Sequence, residues 1–350
     1  MIMYPSLKNT MQDIQIIIDD TEAIIPLNFQ NVLPSDFNQP VIIGNNVTSC
    51  RGIFMNCRNF NQPITIPNNV TNCDYMFNSC ANFNQPITIP NSVTSCGMMF
   101  SACIELNQPI IIGNNVTECA AMFSDCGKFN QPIIIPNSVT SCSYMFYYCR
   151  NFNSPVTIGN NIIDCSEMFG LCFNFNQPIT IPNNVINCNA MFHTCNSFNQ
   201  PITIPNNVTD CSYMLDGCAN FNQPITIPNN VTSCTMMFSY CNNFNQSITI
   251  PNNVTDCSNM FESCTNFSNN IYFKTKDTSL NVVGLVSSCN NSKRKNIFFN
   301  SILNSKFNNT DYSYSIVGPF GDRITWTPMT DGHGFYNTAF NIYCYNSYVP

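Results

Sequence analysis

The tetrapeptide FNQP begins at Phe37 and returns at intervals of 23 residues or multiples of 23, at Phe60, Phe83, Phe129, Phe175, Phe198 and Phe221. Variants hold the register between them: LNQP at Leu106, FNSP at Phe152 and FNQS at Phe244, with Phe267 opening a degenerate copy. Ten complete units therefore run from 37 to 266 without insertion. A fixed period of this size means one supersecondary unit repeated, each copy too small to close a core and dependent on its neighbours. The chain is read as a repeat solenoid.

One unit, Phe83 to Glu105, reads FNQPITIPNSVTSCGMMFSACIE. After FNQP comes a triplet with Ile or Val first and Ile third. A period of two places both on the inner face of a short strand. The middle residues point outward, as Ile42, Thr65, Thr88, Ile111, Ile134, Thr157, Thr180, Thr203, Thr226 and Thr249. Pro or Gly (Gly44, Gly113, Gly159) follows, so the chain turns where no ladder N–H is needed. The motif Cys-x-x-[Met/Ile]-[Phe/Leu]-x-x-Cys then spaces its apolar residues as one inward-facing helical or 3₁₀ turn would. Mainly parallel β-structure with short helical or 3₁₀ turns is the expected fold. Stacked at roughly 4.8 Å, ten coils would make a rod about 50 Å long. The column Asn38, Asn61, Asn84, Asn107, Asn130, Asn153, Asn176, Asn199, Asn222 and Asn245 is unbroken. It is expected to be a hydrogen-bonded ladder that satisfies backbone groups at a corner.

The run VTxCxxMFxxCxxFNQP resembles the bacterial BspA-like leucine-rich repeat family, and within it is similar to mycoplasma-type lipoprotein repeats that share an MFxxCxxFNQP core. The match covers residues 37–267. The resemblance implies a leucine-rich-repeat-type solenoid, and surface adhesion or host-factor binding rather than catalysis. The flanks follow no such pattern. Residues 1–36 are expected to form an N-terminal cap or anchor and 268–350 a small β-rich C-terminal domain. The latter holds a basic triplet (Lys293, Arg294, Lys295), the single Trp326 and an aromatic tail.

Charged residues make up only 9% of the chain and the net charge is -7. A nucleic-acid surface needs clustered Lys and Arg, so that partner is excluded. No apolar run approaches the roughly 20 residues that span a bilayer. Met1 to Asp20 lacks the basic-then-apolar order of a signal peptide, and no wall-sorting signal is recognisable. Twenty of the 22 cysteines form pairs seven residues apart, from Cys50 and Cys57 to Cys257 and Cys264. An even count outside the cell suggests disulfides, but every repeat Cys shares the inward face with Val, Met and Phe, which favours buried thiols. Cys289 with Cys344 is the one pair considered for a staple. Structural zinc wants closer ligands and partner histidines. The chain has only His193 and His333, so neither metal nor cofactor is expected.

Nothing assembles a nucleophile, a base and an orienting group. His193 reads as a lone surface residue, and Asp331 to Gly334 as a Gly-rich turn. Asp74, Glu105, Glu118, Asp164, Asp210 and Asp256 read as carboxylates scattered on a solvated face. The chain is expected not to be an enzyme. Binding has two candidate surfaces: the regular, uncharged strand face, and a variable rim carrying Tyr75, Tyr144, Tyr147, Tyr148, Phe173, Tyr213 and Tyr240 beside Asp74 and Arg150. Tyr and Arg are enriched at binding hot spots, and scattered exposed aromatics are also ordinary. Asn-Val-Thr recurs at Asn46, Asn69, Asn115, Asn207, Asn230 and Asn253, either as turn residues or, in a eukaryotic secretory context, as glycosylation acceptors.

The expected function is recognition of a cell-surface glycan or protein from a virion surface, as a phage tail-fibre or receptor-binding component released without a signal. One end would join other virion or surface-assembly proteins, and a homo-oligomer is compatible with this. A secreted bacterial or protist adhesin is the alternative, a purely structural spacer a second. Ice binding through the Thr column is a remote third, since Ile interrupts it three times.

Overall fold

The structure is a computed structural model. It describes residues 33–274, 280–286 and 288–289, and the backbone of strands at 16–18, 296–300, 327–328, 334–337 and 342–345. The basic triplet, Trp326 and most of Asp331 to Gly334 lie outside the described residues. The chain divides into two compact units, Met1–Gly159 and Asn160–Pro350, each made of the same coil.

Hydrogen bonds alternate along the Cys-to-Cys segment of each coil. The N–H groups of Cys73, Tyr75, Phe77 and Ser79 donate to the carbonyls of Ser95, Gly97, Met99 and Ser101 in the next coil, at 2.7–3.0 Å. Those of Met76, Asn78, Cys80 and Phe83 donate back three residues within their own coil, at 2.9–3.1 Å. None of the described residues is helical. The expected helical or 3₁₀ turn is instead a curl of overlapping four-residue turns. Helical N–H groups all run along the chain, whereas here every second one must run along the stacking axis. Positive φ achieves that reversal. It recurs two and six residues after the first Cys, as at Tyr75 (57°) and Ser79 (62°), Met98 (52°) and Ala102 (60°), Tyr213 (58°) and Gly217 (73°).

The strand face is also less regular than the sequence implies. In the first unit β1 (Ile16–Ile18) pairs with β2 (Val41–Ile43), β3 (Ile87–Thr88) with β4 (Ile110–Ile111), and β5 (Ile133–Ile134) with β6 (Val156–Thr157), all parallel. The triplets at 64–66, 179–181, 202–204 and 225–227 form no strand. Pairing occurs where the later coil follows its triplet with something other than Pro: Gly44, Gly113 or Gly159. Proline has no N–H for the ladder and holds neighbouring backbones apart. At Gly113 the backbones come so close that a Cβ would lie 2.5 Å from the Pro90 carbonyl oxygen. The unbroken β contact of each unit lies just before the first Cys, where Ser49, Asn72, Ser95, Glu118 and Ser141 bridge in parallel, and Asp164, Asn187, Asp210, Ser233, Asp256 and Asn281 do likewise.

In the second unit β7 (Ile248–Ile250) and β8 (Asn270–Phe273) pair parallel, with Lys274 N–H donating to the Ile250 carbonyl where a Pro would have no proton to give. The sheet continues through β9 (Asn296–Asn300), β10 (Thr327–Pro328), β11 (Gly334–Asn337) and β12 (Ile342–Tyr345) in the order β10-β11-β12-β9-β8-β7. The coil geometry therefore runs on past Phe267. Cys289 completes it: its thiol donates to the Phe261 carbonyl at 2.9 Å and sits in the cysteine column rather than in a staple.

Inside each unit the side chains form columns. All twenty-one described cysteines are buried thiols. The second Cys of a coil donates to the Phe or Leu carbonyl of the coil before, as Cys80 to Phe54 at 2.9 Å, Cys126 to Phe100 at 3.0 Å and Cys241 to Leu215 at 3.0 Å. Two phenylalanine columns interleave: Phe77 lies 4.2 Å from Phe83 and 5.4 Å from Phe54, ring to ring and nearly parallel. The asparagines run down one corner. Asn38 Oδ1 accepts the N–H of Asn61 at 2.9 Å and the Gln62 amide at 3.1 Å, and Asn199 serves Asn222 and Gln223 alike.

Candidate functional site

The curl of each coil carries two positive-φ residues, two and six positions after its first Cys. Five of the seven candidate aromatics occupy those positions: Tyr75, Tyr144 and Tyr213 at the first, Tyr148 and Tyr240 at the second. Positive φ forces Cβ against the following carbonyl, at about 1–2 kcal/mol for a residue other than glycine. Other coils fill the same positions with Gly52, Asn56, Asn259 and Gly217, which suit them. The repeat thus accepts small residues there, and stacking does not explain the tyrosines.

The structure brings three candidates together. Tyr144 and Tyr147 meet edge to face at 5.6 Å and 65°, and Tyr148 lies 6.4 Å from Tyr147 at 29°. The Arg150 guanidinium sits 4.1 Å from the Tyr148 ring centre, and Arg51 lies 4.9 Å from that of Tyr75. Burial pushes the Asp125 carboxyl up while the charge of Arg150 pulls it down, and the Asp125 N–H donates to the Tyr147 carbonyl at 2.8 Å. Phe173, Tyr213 and Tyr240 belong to the second unit. Tyr240 is exposed, and Phe173 half-buried.

Sequence reasoning missed how the polar residues are used. The carboxylates read as scattered are turn caps: Glu118, Asp164, Asp210 and Asp256 each accept the N–H two residues on, at 2.8–2.9 Å. Asp74 accepts from Ser95 (2.6 Å), Gly97 N–H (2.9 Å) and Arg51 (2.9 Å). Glu105 pairs with Lys128. The signal was present, since the residue before the first Cys is Ser, Asn, Asp or Glu in every coil. Several sequon asparagines donate their amides to the coil before, as Asn115 to Asn91 and Asn230 to Asn206, both at 2.8 Å.

His193 is likewise no lone surface residue. Its Nδ1 lies 3.1 Å from Asp216 Oδ2. The Asp216 hydrogen bond, formed when the ring is protonated, raises the imidazole pKa against burial, and Glu167 adds to the rise. A raised folded pKa contributes stability that is fully present below the unfolded value near 6.5 and is lost as pH climbs through the folded one. We expect the melting temperature of the second unit to fall over that window, and His193→Gln to flatten the fall. An unchanged slope in the variant would discard this linkage.

The strand face of the first unit holds an open groove of about 950 Å³, lined in part by Thr65, Thr88, Ile111 and Pro109. Ile111 in this groove is 61% exposed, and Ile134, in β5, is 72% exposed. Among the described residues no three His, Cys, Asp or Glu side chains gather to hold a metal, and no helix is long and apolar enough to cross a membrane.

A family model described as "Mycoplasma protein of unknown function, DUF285" matches five overlapping stretches, 28–133, 91–180, 136–226, 158–249 and 205–300. Comparison with curated proteins gives no match. Among solved structures the chain is similar to a leucine-rich repeat protein from Bacteroides ovatus, at 18% identity over 76% of this chain and 79% of that one, with a TM-score of 0.51. It is also similar to a leucine-rich cell surface protein from Faecalibacterium prausnitzii (19% identity, 81% and 86% covered, TM-score 0.42) and to the pneumococcal vaccine antigen PcpA (11%, 76% and 75%, 0.44). The Bacteroides likeness establishes a leucine-rich-repeat fold.

Proposed function

We propose, for a chain that belongs to the DUF285 family of mycoplasma repeat proteins, a non-enzymatic role: recognition of a cell-surface glycan or protein through the variable rim of its coils. The observation that carries this reading is the placement of tyrosines at positive φ. Positive φ serves the coil at every such position, and Gly or Asn would meet it at less cost, so a tyrosine kept there supplies an aromatic that the hydrogen-bond reversal does not need. The core columns are nearly constant from coil to coil while the rim changes, which is the division of labour that solenoids offer a partner.

The test is a trade between stability and binding. Asn tolerates positive φ better than Tyr. The double variant Tyr144→Asn, Tyr148→Asn should therefore melt no lower than the wild type, and somewhat higher where strain is relieved. Binding of the labelled full chain to a panel of epithelial and bacterial cells should weaken by at least about tenfold, the size expected when hot-spot aromatics are removed. Unchanged binding would remove these tyrosines from the contact, and a wild type that binds no cells would leave the chain a structural spacer.

Two forms of this reading differ in where the native protein sits. A surface adhesin is recovered with the cell envelope, and a tail-fibre or receptor-binding component with virus particles at fixed stoichiometry. Mass spectrometry of the two fractions separates them, and recovery in neither removes both. Attachment of one end to other surface-assembly proteins belongs to either form.

A further inference from the structure

We propose that the curl bearing Tyr144, Tyr147 and Tyr148, with Arg150 and the adjacent Asp125, is a subsite for a neutral oligosaccharide; this rests on the recognition reading above and names its ligand. The C–H face of a pyranose is apolar and flat, its rim a ring of hydroxyls that both donate and accept. Recognition thus needs an aromatic surface and, beside it, a fixed donor and a fixed acceptor.

All three parts occur within one rim segment. The rings lie 5.6 and 6.4 Å apart at angles of 65° and 29°, so the cluster offers both a ring face and a ring edge. Packing 4.1 Å from the Tyr148 ring centre fixes the guanidinium plane of Arg150, which supplies N–H donors. Asp125 stands at the positive-φ position of the preceding coil that Tyr148 occupies in its own, with φ of 61° for both. Its carboxylate supplies acceptors only.

The chemistry of the patch selects among ligands. Asp125 offsets the charge of Arg150, and the whole chain carries -7, so an acidic glycan meets no net attraction. A protein partner of ordinary affinity would need about 800 Å² on each side, far more than one curl presents. A single sugar or a short chain of sugars fits that scale. The coil does not require an aromatic there, because the position of Tyr148 is filled elsewhere by Asn56, Ser79, Ala102, Leu171 and Gly217.

The experiment titrates the full chain with cellotetraose, maltotetraose, mannotetraose and lacto-N-neotetraose, using 3′-sialyllactose and a heparin tetrasaccharide as acidic controls, by saturation-transfer NMR and calorimetry. At least one neutral probe should bind. Tyr148→Asn and Arg150→Gln should each weaken it by at least about tenfold, whereas Lys274→Gln, exposed just after β8 in the other unit, should not. Thermal melts of each variant confirm folding. Binding confined to the acidic probes, no binding of any neutral probe, or neutral binding indifferent to Tyr148→Asn would overturn the assignment. Cell binding of the wild type, measured in parallel, keeps the two readings apart. If cells are bound through the rim and no neutral saccharide is, the glycan subsite falls alone. If neither is bound, both fall.

Discussion

Phe77→Ala should cost the first unit about 3–5 kcal/mol, the range for emptying a large aromatic from a packed interior. Phe77 is fully buried and stacks against four other rings, Phe83 at 4.2 Å, Phe54 at 5.4 Å, Phe100 at 5.6 Å and Phe60 at 6.2 Å. Neighbouring coils are tied to one another by backbone hydrogen bonds on both sides of the ring, so the column cannot collapse into the gap. Phe77→Leu should be far milder, about 1 kcal/mol, as expected where a hydrophobic side chain of nearly the right size fills the site. The protein already contains that substitution: Leu215 fills the same slot in another coil with no exposure. Denaturant melts of both variants test this. Equal losses would mean that the rings contribute only apolar area and not a shaped stack.

Glycine substitutions should separate two glycines that look alike in the sequence. At Gly113 a Cβ would meet the Pro90 oxygen at 2.5 Å and the Pro90 carbonyl carbon at 2.8 Å. Both are backbone atoms and neither can rotate away, so Gly113→Ala must push the fourth coil off the third and break the pairing of β3 with β4. Overpacking of this kind costs about 1–3 kcal/mol, occasionally more. At Gly127 a Cβ would meet nothing within 4 Å and φ is not positive. Gly127→Ala should stabilise by about 0.4–1 kcal/mol, because alanine narrows the unfolded ensemble. Loss of stability at both positions would show that Gly113 is needed for some reason other than the approach of the two backbones.

The repeat and its inward columns were legible because burial and periodicity coincide: each coil sends the same Ile, Val, Met, Phe and Cys inward, and the MFxxCxxFNQP core that suggested the family lies in them. The form of the Cys-to-Cys segment was not legible. Cys73, Met76, Phe77 and Cys80 have helical spacing, yet a helix and a curl bury the same four residues. What distinguishes them is where the N–H of Tyr75 goes, and no side-chain pattern records it. The gaps in the strand face could have been read from Pro67, Pro182 and Pro205, since each removes a ladder donor, but only after knowing that the donor was wanted. His193 misled for a similar reason. Its partner Asp216 is 23 residues away in the next coil and Glu167 in the one before, so along the sequence it stands alone. The aromatic rim was visible as variation within a constant frame; the strain beneath Tyr144 and Tyr148 was not.

The thiol columns impose an order of events. In the folded coils second cysteines such as Cys80, Cys126 and Cys241 have their protons committed to a carbonyl of the coil before, and burial raises the Cys57 thiol to about 11 and those of Cys80 and Cys126 further still. The thiolate is the nucleophile in disulfide exchange, so the finished coil is chemically inert toward oxidants. The unfolded chain enjoys no such shelter, and presents a long row of ordinary thiols, each able to pair wrongly with any other. Coiling must therefore precede exposure to an oxidant, and a preparation refolded without reductant should yield mixed disulfides in place of the stack.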